Sequence, residues 1–183
     1  MIRHLPNLLS ALRLLAAPLA AWLILKGHDI AALLTFAAAG ASDGLDGFIA
    51  RHWGVTSAFG AWLDPIADKL LMLFCFAALY YAGATPLWLL GLVVARDLAI
   101  VLGWLIIRCL SLTMLASPLL IGKFSTLVQI LYVFLMLLLL SFDVGAPRLA
   151  ELAAWGCGLF TVRSGAAYAG VFLRNLFSLN RSA

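Results

Sequence analysis

Long apolar stretches separated by short polar segments dominate the pattern along this chain of 183 residues. Each stretch is about as long as the roughly 20 residues that a helix needs to cross a bilayer. The six stretches are Asn7–Leu25, Ile30–Arg51, Ala58–Ala82, Leu87–Arg108, Leu120–Phe142 and Leu149–Leu173. Glycine and proline, which are typical of turns, lie in the segments between them, as at 83–86 and 143–147. The pattern predicts an all-α integral membrane protein, a bundle of six transmembrane helices.

The composition agrees with a membrane-embedded chain. Hydrophobic residues make up 65% of the sequence and charged residues 11%, and the mean hydropathy is +1.09. A soluble domain is usually about half apolar and about a quarter charged. Because no linker or low-complexity segment interrupts the chain, residues 1–183 are predicted to form a single membrane domain. Its surroundings would be membrane lipids, and no nucleic-acid partner is expected.

The basic residues between the apolar stretches predict the orientation. If the N-terminus is cytoplasmic, the outer side carries only Lys26 and Arg148 among the basic residues of the connections. The inner side then carries Arg3, Arg51, Arg108, Lys123, Arg174 and Arg181. Because cytoplasmic loops are enriched in Lys and Arg, both termini are predicted to be cytoplasmic, the N-in/C-in arrangement. We expect the membrane to be the inner (plasma) membrane of a bacterium.

Four carboxylates interrupt the second and third stretches. Asp43 and Asp46 are three residues apart, and Asp64 and Asp68 are four apart, so each pair shares one face of its helix. A charge near the centre of a membrane helix costs roughly 2.5–3.5 kcal/mol on insertion scales, so such residues are usually functional. The short connection between the two helices predicts antiparallel neighbours. The four carboxylates would then converge at one depth in the cytoplasmic half of the bilayer.

Four carboxylates at one place need countercharge, because like charges raise one another's pKa. Oxygen-only ligands favour Mg²⁺ or Mn²⁺ over zinc, which prefers Cys or His. Four carboxylates are enough for two such ions. The pattern therefore predicts a divalent-cation site formed by Asp43, Asp46, Asp64 and Asp68.

These aspartates belong to a longer motif, Asp43-x2-Asp46-Gly47-x2-Ala50-Arg51-x8-Gly60-x3-Asp64-x3-Asp68. It resembles the signature of the CDP-alcohol phosphatidyltransferases at every fixed position. Three other blocks look like the glycerol-type branch of that family, which includes CMP-forming cardiolipin synthases and phosphatidylglycerophosphate synthases. They are Pro6-Asn7-Leu8-Leu9-Ser10-x2-Arg13-x4-Pro18, Leu63-Asp64-Pro65-x-Ala67-Asp68-Lys69 and Gly122-Lys123-x2-Thr126-x2-Gln129.

The resemblance implies a reaction and a role for each matching residue. The enzyme would transfer a phosphatidyl group from CDP-diacylglycerol to an alcohol and release CMP, with its active site facing the cytoplasm. Asp43, Asp46 and Asp64 would bind metal, and Asp68 would contact the second ion and act as general base. The remaining implied contacts are to CDP-diacylglycerol, from Asn7, Ser10, Gly47, Arg51 and Ser57.

The acceptor should bind through cations that the motif does not use. Arg96, Lys123 and Arg163 are the candidates, because Arg96 and Arg163 lie deep in their spans. The Arg96-Asp97 pair resembles that of the cardiolipin synthases, whose acceptor is phosphatidylglycerol. Phosphatidylglycerophosphate synthases, whose acceptor is glycerol-3-phosphate, usually have Arg-Glu there. We therefore expect phosphatidylglycerol, with glycerol-3-phosphate as the alternative.

Two further hypotheses come from the same residues. Intramembrane acids near an arginine are also typical of cation-coupled transporters, although this chain has no evident inverted repeat. The glycine- and alanine-rich helix faces could pack within one chain or form a homodimer.

Overall fold

The computed structural model describes the backbone of residues 5–53, 58–109 and 120–179, and side chains at 11–42, 66–103, 105–106 and 120–174. These parts of the chain form six α-helices joined by turns, without a strand. The helices are α1 (Leu5–Leu25), α2 (Asp29–Trp53), α3 (Ala58–Tyr81), α4 (Leu87–Cys109), α5 (Leu120–Ser141) and α6 (Pro147–Leu179). The predicted all-α fold with six helices is confirmed.

The helix ends differ from the predicted spans chiefly at α6, which has 33 residues. Hydropathy predicts the part of a helix that lies in lipid, whereas intrahelical hydrogen bonds continue through polar residues such as Arg174 and Asn175. Within the described residues, α5 is long and apolar enough to cross a membrane by length and composition. The crossing of all six helices, and the N-in/C-in orientation, stay predictions.

Three helices end in the same way. At the end of α1, the Gly27 amide donates to Ile24 O at 3.0 Å and the His28 amide to Leu23 O at 2.9 Å. This is the Schellman pattern, in which a left-handed residue lets the chain bond the last carbonyls. Gly27 and Gly83 have φ of 71° and 77°, so glycine suits both positions, and Asp143 has the equivalent role after α5 with φ of 48°.

The chain forms two compact units, and the division falls within α5. Unit 1 comprises Met1–Thr85 and Val133–Pro147, and unit 2 comprises Pro86–Tyr132 and Arg148–Ala183. The single-domain prediction is not tested by this division. The aspartates of the motif belong to unit 1, whereas the three candidate acceptor residues belong to unit 2.

In unit 1, α1 packs against both α2 and α3. The buried face of α1 contains alanine at 17, 20 and 21, which are three or four residues apart and therefore on one side of the helix. Small side chains let helix backbones approach closely in a membrane protein. The alanine face makes α1 the common neighbour of the two helices that carry the motif.

The interior of unit 2 is more polar. Leu89 and Val93 are buried on α4, but the next buried position on the same face is Arg96. Among the described side chains of this unit, the others that are buried and polar are Ser125 and Gln129 on α5, and Thr161 and Ser164 on α6. Gln129 Nε2 donates to Thr161 Oγ1 at 3.1 Å, and Thr161 Oγ1 donates to Cys157 O at 2.8 Å. The first of these bonds joins α5 to α6, as hydrogen bonds between polar side chains do in membrane proteins.

Close packing at Gly158 gives a test of unit 2. A methyl group added there would lie 2.7 Å from Trp88 Cζ3, and that indole is stacked on Trp155 with ring centroids 4.8 Å apart. We expect Gly158→Ala to destabilise the protein by about 1–3 kcal/mol, because overpacking forces side chains from their preferred positions. Thermal unfolding followed by tryptophan fluorescence measures this change.

Gly156 provides the matched control two residues earlier on the same helix. A methyl group at Gly156 would meet no atom within 4 Å. Gly156→Ala should therefore leave the stability unchanged or raise it by up to about 1 kcal/mol, since alanine is the better helix former. Equal effects of the two substitutions would contradict the packing described here.

Candidate active site

The motif lies on two consecutive helices. Asp43, Asp46, Gly47 and Arg51 are in the last part of α2, and Asp64 and Asp68 are in α3. The helical backbone puts each aspartate pair on one helix face, as the spacing predicts. Of the four aspartates, Asp68 is the one whose side chain belongs to the described residues. The convergence of all four carboxylates stays a prediction.

Other predicted contacts to CDP-diacylglycerol also lie outside the described side chains. Asn7 and Ser10 are in the first half of α1, where the backbone is described. The side chains of Gly47 and Arg51 in α2, and the whole of Ser57, lie outside the described residues. Their implied roles stay predictions that follow from the resemblance.

An ion pair joins Asp68 to α1. Arg13 Nη1 donates to Asp68 Oδ1 at 2.9 Å, across 55 positions of sequence. The Arg13 side chain is completely buried, whereas the Asp68 side chain is 45% exposed. A buried guanidinium needs a charged or hydrogen-bonding partner, and Asp68 supplies one. Asp68 is thus held on one side and accessible on the other, which suits a carboxylate that meets a substrate or a cation.

Sequence reasoning gave Arg13 no role in this site. A signal was present, because Arg13 interrupts an apolar stretch and an intramembrane arginine needs an acidic partner. Arg13 lies eight residues from the start of α1, and Asp68 lies ten residues from the start of α3. The sequence does not show how the two helices are rotated about their axes, so it could not identify the pair.

The donor set fits a divalent cation in its chemistry. All four candidate ligands are carboxylates, the oxygen donors that Mg²⁺ and Mn²⁺ prefer. The one described carboxylate keeps nearly half of its surface open beside its bond to Arg13. Among the residues with described side chains, no three His, Cys, Asp or Glu residues form another metal-binding group.

The first candidate acceptor residue, Arg96, lies inside unit 2. Its Nε and Nη2 donate to Ser164 Oγ at 3.2 and 2.9 Å, and Nη2 also donates to Gly122 O at 3.3 Å. On the other edge of the guanidinium, Nη1 forms an ion pair with Asp97 Oδ1 at 2.6 Å. The Arg96 guanidinium lies 6.0 Å from the centre of the Tyr168 ring. Arg96 therefore joins α4 to α5 and α6.

Lys123 and Arg163 differ from Arg96 in being exposed. Each is next in sequence to a residue that holds Arg96, since Lys123 follows Gly122 and Arg163 precedes Ser164. Gly122 also has a close neighbour, because a methyl group there would lie 2.5 Å from Tyr168 Oη. The glycine of the Gly122-Lys123 block thus makes room for the tyrosine ring.

Comparison with known proteins places the chain in a family. The model of the CDP-alcohol phosphatidyltransferase family matches residues 3–163. A cardiolipin synthase (CMP-forming) of Rattus norvegicus is 34% identical over 177 residues, covering 88% of this chain and 58% of the relative. A probable phosphatidylglycerophosphate synthase of Mycobacterium tuberculosis is 33% identical over 189 residues, covering 100% of this chain and 88% of the relative.

A third relative matches over a shorter part. It is the chloroplastic CDP-diacylglycerol--glycerol-3-phosphate 3-phosphatidyltransferase 1 of Oryza sativa subsp. japonica, which is 43% identical over 109 residues. That match covers 60% of this chain and 33% of the relative. The chain thus spans about a third to three-fifths of the length of several curated relatives that it matches.

An all-helical member of a transferase family is the class of protein that these features define. The chain belongs to the CDP-alcohol phosphatidyltransferase family. The resemblance that the motif indicated is therefore confirmed.

The Arg13–Asp68 pair predicts an unequal effect of removing its two members. Asp68→Ala removes the carboxylate that pairs with the buried Arg13 guanidinium. We therefore expect the free energy of unfolding to fall by about 2 kcal/mol. Arg13→Met should cost less, because an apolar side chain of similar length can replace a buried charge. Thermal unfolding in detergent micelles compares the two variants.

Glu151→Ala is the control for loss of an acid, since Glu151 is exposed on α6. It should leave the unfolding temperature unchanged. If Arg13→Met proved as destabilising as Asp68→Ala or more so, the ion pair would not be the interaction that stabilises this part of unit 1.

Proposed function

We propose that this protein transfers the phosphatidyl group of CDP-diacylglycerol to a glycerol-type acceptor and releases CMP, using two divalent cations, Mg²⁺ or Mn²⁺. The single observation that carries the proposal is the complete family motif on α2 and α3. Asp43, Asp46, Asp64 and Asp68 would hold the ions. When bound, such ions neutralise the pyrophosphate and stabilise the leaving group of the donor.

Asp68 is the proposed general base. The acceptor hydroxyl oxygen forms a bond to the phosphorus of the phosphatidyl group, and the bond from that phosphorus to the CMP oxygen breaks. CMP leaves with the electron pair of the broken bond, and Asp68 takes the proton of the acceptor hydroxyl. The ion pair with Arg13 at 2.9 Å fixes the direction of the carboxylate. The exposed part of that carboxylate is the part an acceptor could reach.

The donor contacts proposed for Asn7, Ser10, Gly47, Arg51 and Ser57 follow from their places in the family motifs. The two serines would donate hydrogen bonds to phosphate oxygens, and Arg51 would offer positive charge to the diphosphate. A glycine at 47 lets a ligand approach the helix backbone closely. The proposed orientation puts this site on the cytoplasmic side of a bacterial inner membrane.

For the acceptor we propose phosphatidylglycerol, so that the product is cardiolipin. The Arg96-Asp97 pair supports this choice, because it resembles the Arg-Asp pair of the cardiolipin synthases, and the two side chains form an ion pair at 2.6 Å. Lys123 and Arg163 would add positive charge for the phosphate of the acceptor.

Glycerol-3-phosphate is the second candidate acceptor. The relative that matches all of this chain, and 88% of its own length, is named a probable phosphatidylglycerophosphate synthase. Membership of a transferase family argues against the cation-coupled transporter. A homodimer remains a proposal that the helix faces allow.

The acceptor can be identified with the purified full chain in lipid nanodiscs, CDP-diacylglycerol and one acceptor at a time. We expect CMP release and cardiolipin with phosphatidylglycerol, as measured by mass spectrometry of the lipids. Formation of phosphatidylglycerophosphate from glycerol-3-phosphate, with no cardiolipin from phosphatidylglycerol, would overturn the acceptor assignment. It would leave the proposed type of reaction standing. No CMP release with either acceptor would overturn the proposed function itself.

The metal and the base have a separate test. Chelation with EDTA should abolish CMP release, and Mg²⁺ or Mn²⁺ should restore it. Asp68→Asn should lower kcat by about a hundredfold or more, the usual contribution of a general base. Glu151→Gln, an exposed acid on α6, is the control and should keep wild-type turnover. Full turnover after chelation, or an unimpaired Asp68→Asn protein, would refute the mechanism.

A further inference from the structure

The Arg96 guanidinium is bonded on most of its perimeter by groups of unit 2. Ser164 Oγ accepts from both Nε at 3.2 Å and Nη2 at 2.9 Å. Gly122 O accepts from Nη2 at 3.3 Å, and Asp97 Oδ1 accepts from Nη1 at 2.6 Å. Ser164 is completely buried, and Arg96 is 9% exposed. This geometry decides which edge of the arginine remains for a ligand.

A count of hydrogens identifies that edge. An arginine side chain has five N–H groups. The four bonds above use the Nε hydrogen, both Nη2 hydrogens and one Nη1 hydrogen, which leaves the second Nη1 hydrogen. The Asp97 side chain beside it is 22% exposed, more than the 8% of Arg96. A ligand that leaves the internal bonds intact therefore meets Arg96 at Nη1, beside Asp97.

We propose that Ser164 is a positioning residue for the acceptor subsite, holding Nε and Nη2 of Arg96 so that Nη1 faces the anionic phosphate group of the acceptor. The inference rests on the proposed function, because it assumes that Arg96 meets the acceptor. Ser164 itself touches neither substrate nor cation in this scheme, and it acts through the arginine.

The chemistry of serine suits this role. Its hydroxyl oxygen has two lone pairs and can accept both hydrogen bonds at once. It is neutral, so it orients the guanidinium without cancelling the positive charge that a phosphate needs. Because Ser164 is completely buried, Nε would lose its hydrogen-bond partner in Ser164→Ala, and Nη2 would keep only Gly122 O. The guanidinium would then turn toward other acceptors within unit 2.

The test is steady-state kinetics of Ser164→Ala with each substrate varied in turn. We expect KM for the acceptor to rise about tenfold, which is the usual effect of losing hydrogen bonds to a charged group. KM for CDP-diacylglycerol should stay within about twofold of wild type, since those contacts are made elsewhere. Ser164→Thr keeps the hydroxyl and should recover most of the acceptor affinity. Assays with phosphatidylglycerol and with glycerol-3-phosphate distinguish the two sources of phosphate.

Ser125→Ala is the matched control. Ser125 is also a completely buried serine of unit 2, and its hydroxyl has no hydrogen-bond partner among the described residues. Loss of that hydroxyl should therefore leave both KM values unchanged. If Ser125→Ala changed the KM for the acceptor and the KM for CDP-diacylglycerol as Ser164→Ala does, the cause would be a general disturbance of unit 2. That result would overturn the proposal.

A second variant keeps the proposal testable if Ser164→Ala does not fold. Arg96→Lys retains the charge but lacks the forked donors that Ser164 holds. It should raise KM for the acceptor selectively, and adding Ser164→Ala to it should have little further effect. An unchanged acceptor KM in Arg96→Lys would overturn the proposal. A wild-type protein that releases no CMP with either acceptor would instead refute the proposed function.

Discussion

Buried positive charge is the constraint on which the rest of this structure depends. In a chain with 65% hydrophobic residues, a guanidinium inside the helices has little water to interact with, so it must find its partners within the protein. Arg13 and Arg96 are the two buried arginines among the described residues. Each one joins helices that are distant in sequence. Arg13 joins α1 to α3, and Arg96 joins α4 to α5 and α6.

The two arginines satisfy this constraint by different means. Arg13 pairs with a carboxylate that keeps 45% of its side-chain surface exposed. Arg96 has an acidic neighbour in sequence, and it bonds a hydroxyl and a backbone carbonyl of two other helices. Ion pairs fix charge, whereas neutral acceptors fix direction without removing charge. Arg96 combines the two, because Asp97 offsets part of its charge while Ser164 and Gly122 fix its direction.

The sequence was sufficient for the parts of the fold that depend on one-dimensional periodicity. Apolar runs separated by Gly27, Gly83 and the 143–147 segment predicted the six helices, because helix length and turn chemistry are local properties. The family followed from eight residues of fixed type and spacing, which need no tertiary information. Five of these eight residues are charged, and charged residues are rare inside membrane helices.

Contacts between helices could not be predicted in the same way. Hydropathy gives the depth of a residue but not the rotation of its helix, and a rotation of 100° separates adjacent side chains. The pairing of Arg13 with Asp68 depends on that rotation. Ser164 and Thr161 gave no signal at all, since serine and threonine are ordinary residues in membrane helices. Their importance arises from the arginine and the glutamine that α4 and α5 bring to them.

The residues of the motif depend for their positions on α1, a helix that carries none of them. The fixed residues of the motif, from Asp43 to Asp68, lie on α2 and α3, and α1 packs against both helices. Arg13 on α1 determines the position of one Asp68 oxygen, and the alanines at 17, 20 and 21 let α1 approach its neighbours. A shift of α1 by one residue would move the guanidinium by about 1.5 Å along the helix axis. Such a shift exceeds the range of about 0.5 Å over which hydrogen-bond distances vary, so the geometry of Asp68 depends on the packing of a helix that the motif does not include.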